Sequence, residues 1–213
     1  MDYKLVIFDW DGTVMDTVPK IVNTINKVAD KYEFSRETLE KTKSIIGLSL
    51  QTALETLFPE QAHRSAELAD AYKTIYREVD QTPTELFEGV EGVLQFLSSC
   101  NIKLAVATGK SRAGLDRLLL ESGLDGYFAV TRTADEAESK PSPDMIQQIL
   151  SELDIAPEQA VMIGDTTIDM DMARKAGVAA IGVTFGVANR NELAQYSPVH
   201  IIDEFEQLLT CLA

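Results

Sequence analysis

Four short segments of the chain carry residue types that could share one chemistry. They are Asp9-Trp10-Asp11-Gly12-Thr13, Thr108-Gly109-Lys110-Ser111, Ser139-Lys140-Pro141-Ser142-Pro143-Asp144 and Gly164-Asp165-Thr166-Thr167-Ile168-Asp169. Brought together, Asp9, Asp11 and Asp165 repel one another unless a cation sits between them. Oxygen-only ligands suit Mg²⁺, which favours octahedral geometry and keeps several of its waters. Lys140 would add a second positive charge, and the Thr108 hydroxyl with nearby backbone N–H groups would add directional donors. Phosphoryl transfer asks for this equipment: in-line positioning and neutralisation of the non-bridging oxygens. A carboxylate can attack phosphorus to form an acyl phosphate, dividing one difficult step into two. A second carboxylate two residues along can give a proton to the leaving alkoxide and later take one from water. Trp10, between the two, points to the opposite side by strand alternation, and Gly12 permits a sharp exit.

Each of these residues also has a plainer role when read alone. Asp9 and Asp11 could form a strand-exit turn, Thr108 a turn or helix cap, and Lys140 a solvated loop lysine. Asp165 and Asp169 could cap the following helix or complement its dipole. Lys110 and Arg112 could raise the potential near a phosphate or simply be solvated, and Asp171 reads as a solvated helix charge. His63 and His200 have no partners at ligand spacing and read as structural. Met162, Met170 and Met172 look like core filler. The helix break Gly47-Leu48-Ser49 is a candidate to face a substrate, against a plain helix–helix turn.

The elements that would position these segments are visible as apolar runs. Lys4–Phe8, Leu104–Ala107, Phe128–Thr131, Ala160–Ile163, Ala179–Val183 and His200–Ile202 lack polar alternation, as strands buried on both faces do. Between them Val90–Ser99, Arg112–Ser122, Ser142–Leu153 and Asp169–Ala176 have helical period, with Gly123 and Gly177 as C-terminal stops. The alternation predicts an α/β fold, a doubly wound, mainly parallel Rossmann-like sheet. Strands of such a sheet present their carboxyl ends on one edge, where ligands bind. Three of the four segments follow a strand, and the one with Lys140 opens a helix. One interval breaks the rhythm. From about Asp16 to Thr82 only helix-like segments occur: Pro19–Tyr32, Ser35–Ile46, Leu50–Leu57 and Pro59–Val79. Pro19 suits a first turn, and Ser35 with Thr38 suits N-terminal capping. This predicts a catalytic core from residues 1–15 and 83–213 with an inserted all-helical subdomain at 16–82.

A chain of 213 residues, 45% apolar, is long enough for one domain plus an insertion. Mean hydropathy of −0.04 suits a globular protein with a real core. The net charge of −15 repels nucleic-acid backbone and anionic membrane, so neither is expected as a partner. A phosphorylated substrate would therefore need local cations, which raises the weight of single lysines. Cys100 and Cys211 stand in unrelated contexts, against a disulfide framework or structural zinc. The run MDYKLVIFDWDG is too short for a signal peptide. No stretch approaches the roughly 20 apolar residues of a transmembrane helix. The expected location is cytoplasmic.

The four segments resemble the motifs of the haloacid dehalogenase superfamily, in its phosphatase branch. FDWDGT is similar to the first motif, VATGK to the second, SKPSPD to the third and IGDTTIDMDMARKAG to the fourth. The helical insert resembles the family's C1 cap, so the likeness covers essentially the whole chain. It implies Asp9 as nucleophile and Asp11 as acid and base. It further implies Thr108, Gly109 and Lys140 around the phosphate, with Mg²⁺ held by the Asp9 carboxylate, the Asp11 carbonyl and the Asp165 carboxylate. Asp169 would support the metal from behind or through water. GDTTID is similar to phosphoglycolate-phosphatase-like enzymes, and among small phosphorylated metabolites an acid, a sugar or a nucleotide is equally permitted as substrate. A β-phosphoglucomutase-like mutase is the rival within the family, but such proteins usually carry an acidic residue where Gly164 stands. A dehalogenase or a phosphonate hydrolase would not need Asp11. A phospho-aspartate receiver or a binding protein is the rival outside it; a receiver would be about half this length, with no helical insert.

Overall fold

The computed structural model describes residues 3–212. Residues 1, 2 and 213, at the ends of the expected core, lie outside that range. The apolar runs become six strands: β1 (Leu5–Phe8), β2 (Lys103–Ala107), β3 (Val130–Arg132), β4 (Ala160–Gly164), β5 (Ala179–Val183) and β6 (His200–Ile202). They form one sheet in the order β3-β2-β1-β4-β5-β6, and every neighbouring pair is parallel. The chain therefore works outward from β1 on one side, then returns to β4 and works outward on the other. The crevice between β1 and β4 is the point at which the winding reverses, where ligands of such sheets bind.

Register decides what meets there. Phe8 lies opposite Val106 on one neighbour and Ile163 on the other, so the residues that follow β1, β2 and β4 emerge side by side. Burial on both faces holds the layer. Val6, Phe8, Leu104, Val106, Val161 and Ile163 face one core, while Leu5, Ile7, Ala105, Ala107, Ala160 and Met162 face the other. Each fully buried large apolar side chain contributes about 1.5–3 kcal/mol relative to exposure. Trp10 joins the first of these cores, edge-on to Phe128 at 6.3 Å, as strand alternation predicts. The three methionines Met162, Met170 and Met172 join the second.

Between β1 and the rest the chain is helical: α1 (Val18–Lys31), α2 (Leu39–Lys43), α3 (Leu50–Leu57) and α4 (Ser65–Thr74). These helices close on a third core that includes Ile21, Ile25, Ile46, Leu54, Leu57 and Tyr76. Two segments depart from the expected long helices. Of Ser35–Ile46 only the short α2 forms, because Thr38 rather than Ser35 is the cap, accepting from the Lys41 N–H at 3.2 Å. Arg36 ties the extended stretch before it back to Asp30 at 2.6 Å. Pro59–Val79 divides into a 3₁₀ turn at Pro59–Arg64, then α4, then a wide π turn at Ile75–Val79. Entry and exit of this block run side by side. Met15 bridges Leu86 in antiparallel fashion, the Asp16 N–H donates to Glu85 O at 2.8 Å, and the Phe87 N–H donates to Val14 O at 3.2 Å.

The second half adds α5 (Val90–Ser99), α6 (Arg112–Ser122), α7 (Asp144–Leu153), α8 (Thr167–Ala176), α9 (Arg190–Ala194) and α10 (Leu208–Cys211). Gly123 and Gly177 stop α6 and α8 at φ of 70° and 72°, the left-handed turn that a glycine adopts without a Cβ penalty. Among the described residues no helix is long and apolar enough to cross a membrane.

Candidate active site

All four segments reach the same edge. Asp9 leaves β1 with its N–H donating to Ile163 O at 2.9 Å, so its backbone continues the ladder for one more residue. Its side chain is 1% exposed. Lys140 Nζ forms an ion pair with Asp9 Oδ1 at 2.8 Å. Apart from that ammonium, neither Asp9 carboxylate oxygen has a hydrogen-bond donor among the described residues. Burial pushes the Asp9 carboxyl up to about 7, against the pull of Lys140 and with a further push from Asp169 and Asp11.

Lys140 is buried too, and burial alone would favour its neutral form. Asp169 and Asp9 outweigh that and hold its pKa above the ordinary lysine value. The stronger partner is Asp169, whose Oδ1 accepts from Lys140 Nζ at 2.7 Å. The other Asp169 oxygen accepts from the Thr166 N–H at 3.1 Å and its hydroxyl at 2.6 Å. Thr166 accepts in return from the Asp169 N–H at 3.2 Å, completing a capping box at the start of α8. Asp169 is thus both helix cap and anchor for Lys140. Gly164 makes this possible, since a Cβ there would lie 2.4 Å from the Asp169 Cβ.

Asp165 is held from both sides. Its Oδ1 accepts from the Thr13 hydroxyl at 2.9 Å and its Oδ2 from the Val187 N–H at 2.8 Å. Gly12, at φ +79°, and Gly186 flank it, and a Cβ on either would come within 2.2 Å of Oδ2. Burial raises the Asp165 carboxyl well above the usual range, with Asp169 and Asp9 adding to the push. Asp9, Asp165 and Asp169 each present an oxygen within 4.8 Å of the others. With Asp169 already saturated by Lys140 and Thr166, the donor set left for a cation is Asp9 and Asp165. Two buried carboxylates with raised pKa, held close together, fit a hard divalent cation, which takes oxygen ligands and discharges the repulsion.

Asp11 sits apart from this cluster. Its Oδ1 accepts from the Thr17 hydroxyl and pairs with Lys110 Nζ at 2.8 Å. Lys110 also lies 5.5 Å from the ring centre of Tyr76, in the helical block, so it spans the two halves of the protein. Thr108 is fully buried at the end of β2, where its hydroxyl accepts from the Lys110 N–H at 3.3 Å. Gly109 lies beneath the helix break: a Cβ there would be 2.3 Å from Leu48 O and 2.6 Å from Gly47 O. The same loop donates its Ser49 N–H to the Ser139 hydroxyl at 2.9 Å. Gly47-Leu48-Ser49 therefore rests on the edge that bears the four segments.

Asp9, Asp11, Thr108, Gly109, Lys140, Asp165 and Asp169 all lie at this edge. Asp169, expected as a cap or as a support for the metal, caps α8 and contacts Lys140. Lys110 is engaged with Asp11 and not merely solvated, whereas Arg112 turns away to Glu136 at 2.6 Å. Thr13, Thr17, Gly186 and the Val187 N–H support the carboxylates without having been singled out. Thr13 and Thr17 could have been found as hydroxyls just past a strand-end carboxylate; nothing near Gly186 in the sequence signals its role.

The haloacid dehalogenase-like hydrolase family matches residues 6–183, and the chain belongs to it. A relative from Dickeya dadantii named "Probable phosphatase IndB" is 35% identical over 210 residues, covering 96% of this chain and 91% of that one. "Pyrophosphatase PpaX" of Anoxybacillus flavithermus is 28% identical over 213 residues, covering 100% and 98%. Among solved structures, that of a predicted phosphatase from Clostridium acetobutylicum superposes with a TM-score of 0.88 at 25% identity, covering 99% of this chain and 98% of that one.

Proposed function

We propose that this phosphatase is Mg²⁺-dependent and hydrolyses phosphomonoesters of small metabolites through a phospho-aspartate at Asp9. The observation that carries the reading is the state of Asp9: a buried carboxylate at the reversal point of the sheet, whose one polar partner among the described residues is a buried ammonium. A structural aspartate would have further donors. One compensated by that ammonium alone is equipped to attack.

In this reading an Asp9 oxygen attacks phosphorus in line, and the ester oxygen departs with a proton from Asp11. Lys140 and Thr108 hold the non-bridging oxygens, with the Gly109 segment beside them. Asp11 then takes a proton from water, whose oxygen attacks the acyl phosphate, and phosphate leaves as Asp9 is regenerated. Mg²⁺, held by the carboxylates of Asp9 and Asp165 and the carbonyl of Asp11, would neutralise phosphate charge and permit two anions to meet. Asp169 fixes Lys140 in place. Residues 16–82 act as a cap over the core formed by 1–15 and 83–213, excluding bulk water during the chemistry.

Gly164 keeps the Lys140 anchor in place, since a side chain there would collide with Asp169. The test is phosphate release from a panel of phosphomonoesters with and without Mg²⁺, by the native chain and by Asp9→Asn. We expect release that needs the metal and vanishes in the variant; full rate in EDTA, or undiminished turnover by Asp9→Asn, contradicts the proposal.

A further inference from the structure

Asp11, Gly109 and Lys110 open onto a cavity of about 600 Å³ between the helical block and α6. That volume matches the share of roughly 20 liquid waters, and it lies in the range of about 300–1,000 Å³ typical of ligand sites. A two-carbon phosphoacid would leave most of it wet. The walls are mainly apolar: Ile21, Ile25, Ile46, Leu54 and Leu118 line it, with the stacked rings of Tyr72 and Tyr76, 5.8 Å apart.

The four cations that line the cavity each have a carboxylate partner, while Lys20, beside the lining, lies over the Tyr76 ring at 4.8 Å. Lys110 pairs with Asp11 at 2.8 Å, Arg117 with Glu121 at 2.8 Å, Lys73 with Asp70 at 3.8 Å and Arg77 with Glu78 at 3.8 Å. A second anionic group on the substrate would therefore compete with a resident carboxylate at Lys110, the least exposed of these cations. Of the buried side-chain polar atoms in the lining, the Tyr76 hydroxyl is the one without a hydrogen-bond partner among the described residues. A single polar atom on an otherwise apolar ligand would satisfy it.

We infer that the leaving group is a neutral alcohol bearing a ring-sized, mainly apolar body, so that the preferred substrates are monoesters with one phosphate and no other anion. This rests on the phosphatase reading and narrows it. Phosphoglycolate and pyrophosphate each carry a second anionic group and no apolar body, so they should be poor substrates. Apolar complementarity of this kind discriminates by about 10-fold or more for each well-seated group.

Benzyl phosphate and phosphoglycolate both release primary alcohols, so comparing them tests recognition more than leaving-group reactivity. With the full chain and Mg²⁺, kcat/KM for benzyl phosphate should exceed that for phosphoglycolate and for pyrophosphate by at least about 10-fold. Ala66→Trp places bulk into the cavity from an exposed position on α4 and should shrink the benzyl-to-glycolate ratio by about the same factor, with melting temperature checked in parallel. Equal turnover of the three compounds, or preference for either doubly anionic one, overturns the inference and leaves the phosphatase reading standing. A preference for benzyl phosphate that Ala66→Trp does not reduce also overturns it, because the cavity would not be the discriminating element. No release from any phosphomonoester would remove both.

Discussion

Lys140 donates to Asp169 across 2.7 Å, and neither side chain is accessible to solvent. An ion pair this deep is fixed in position by the cost of separating its members. Asp169 is in turn fixed by the helix it caps, so the ammonium beside Asp9 is aimed by the first turn of α8.

Removing the cation should therefore destabilise the protein as well as inactivate it. Lys140→Met leaves Asp9 and Asp169 without their buried partner, a change that typically costs about 3–5 kcal/mol. Urea unfolding in EDTA would measure it. The loss should be smaller in mild acid, where Asp9 can take up a proton and shed its charge.

Asp9→Asn should separate chemistry from folding in the opposite sense. Turnover should fall by at least about 10⁴-fold, as for removal of other nucleophiles. Stability without metal should hold or rise, because an amide replaces a carboxylate whose charged form burial disfavours, and Lys140 keeps Asp169 as its partner. A variant that unfolds at lower urea than the native chain would contradict this.

The raised pKa of Asp9, about 7 against an ordinary 3.8, sets a pH dependence. Without metal the folded protein holds this proton more tightly than the unfolded chain does. The stability contributed by Asp9 is thus full below the unfolded value and is lost as pH rises toward about 7. Mg²⁺ needs the carboxylate, so its binding should release a proton in this window and tighten with pH until about 7. Calorimetry in buffers of different ionisation heat would count the proton. An affinity that is flat across the window would exclude the coupling.

Gly109→Ala tests the seat of the helix break. The new methyl would lie 2.3 Å from Leu48 O, so the loop must lift, while nothing in the sheet core changes. A displacement of this order at a reaction site can cost up to about 100-fold in rate. We expect a fall in kcat/KM of about 10-fold or more with a nearly native melting temperature. Native kcat/KM would show that the loop's pose is irrelevant to turnover.

The sheet was legible because burial on both faces writes itself as unbroken apolar runs; β1, β4 and β5 follow that pattern almost residue for residue. The site was legible where residues act at strand ends, as Asp9 and Asp165 do, since topology alone then brings them together. Helix length in the insert was less so. The long segment beginning at Pro59 has helical period, yet period does not distinguish a continuous helix from turns that bury the same face. Lys110 keeps two readings in the sequence because its partners Asp11 and Tyr76 come from distant parts of the chain, and no local pattern records that meeting. Asp169 carried two readings, cap and metal support, and the capping box with Thr166 shows it occupied as a cap.

The pairing of Met15 with Leu86 has an evolutionary side. Where an excursion of the chain begins and ends at touching points, it can lengthen, shrink or be traded for another without re-threading the strands. The catalytic edge would be inherited intact while the alcohol it accepts is rewritten by whatever is grafted between those two residues.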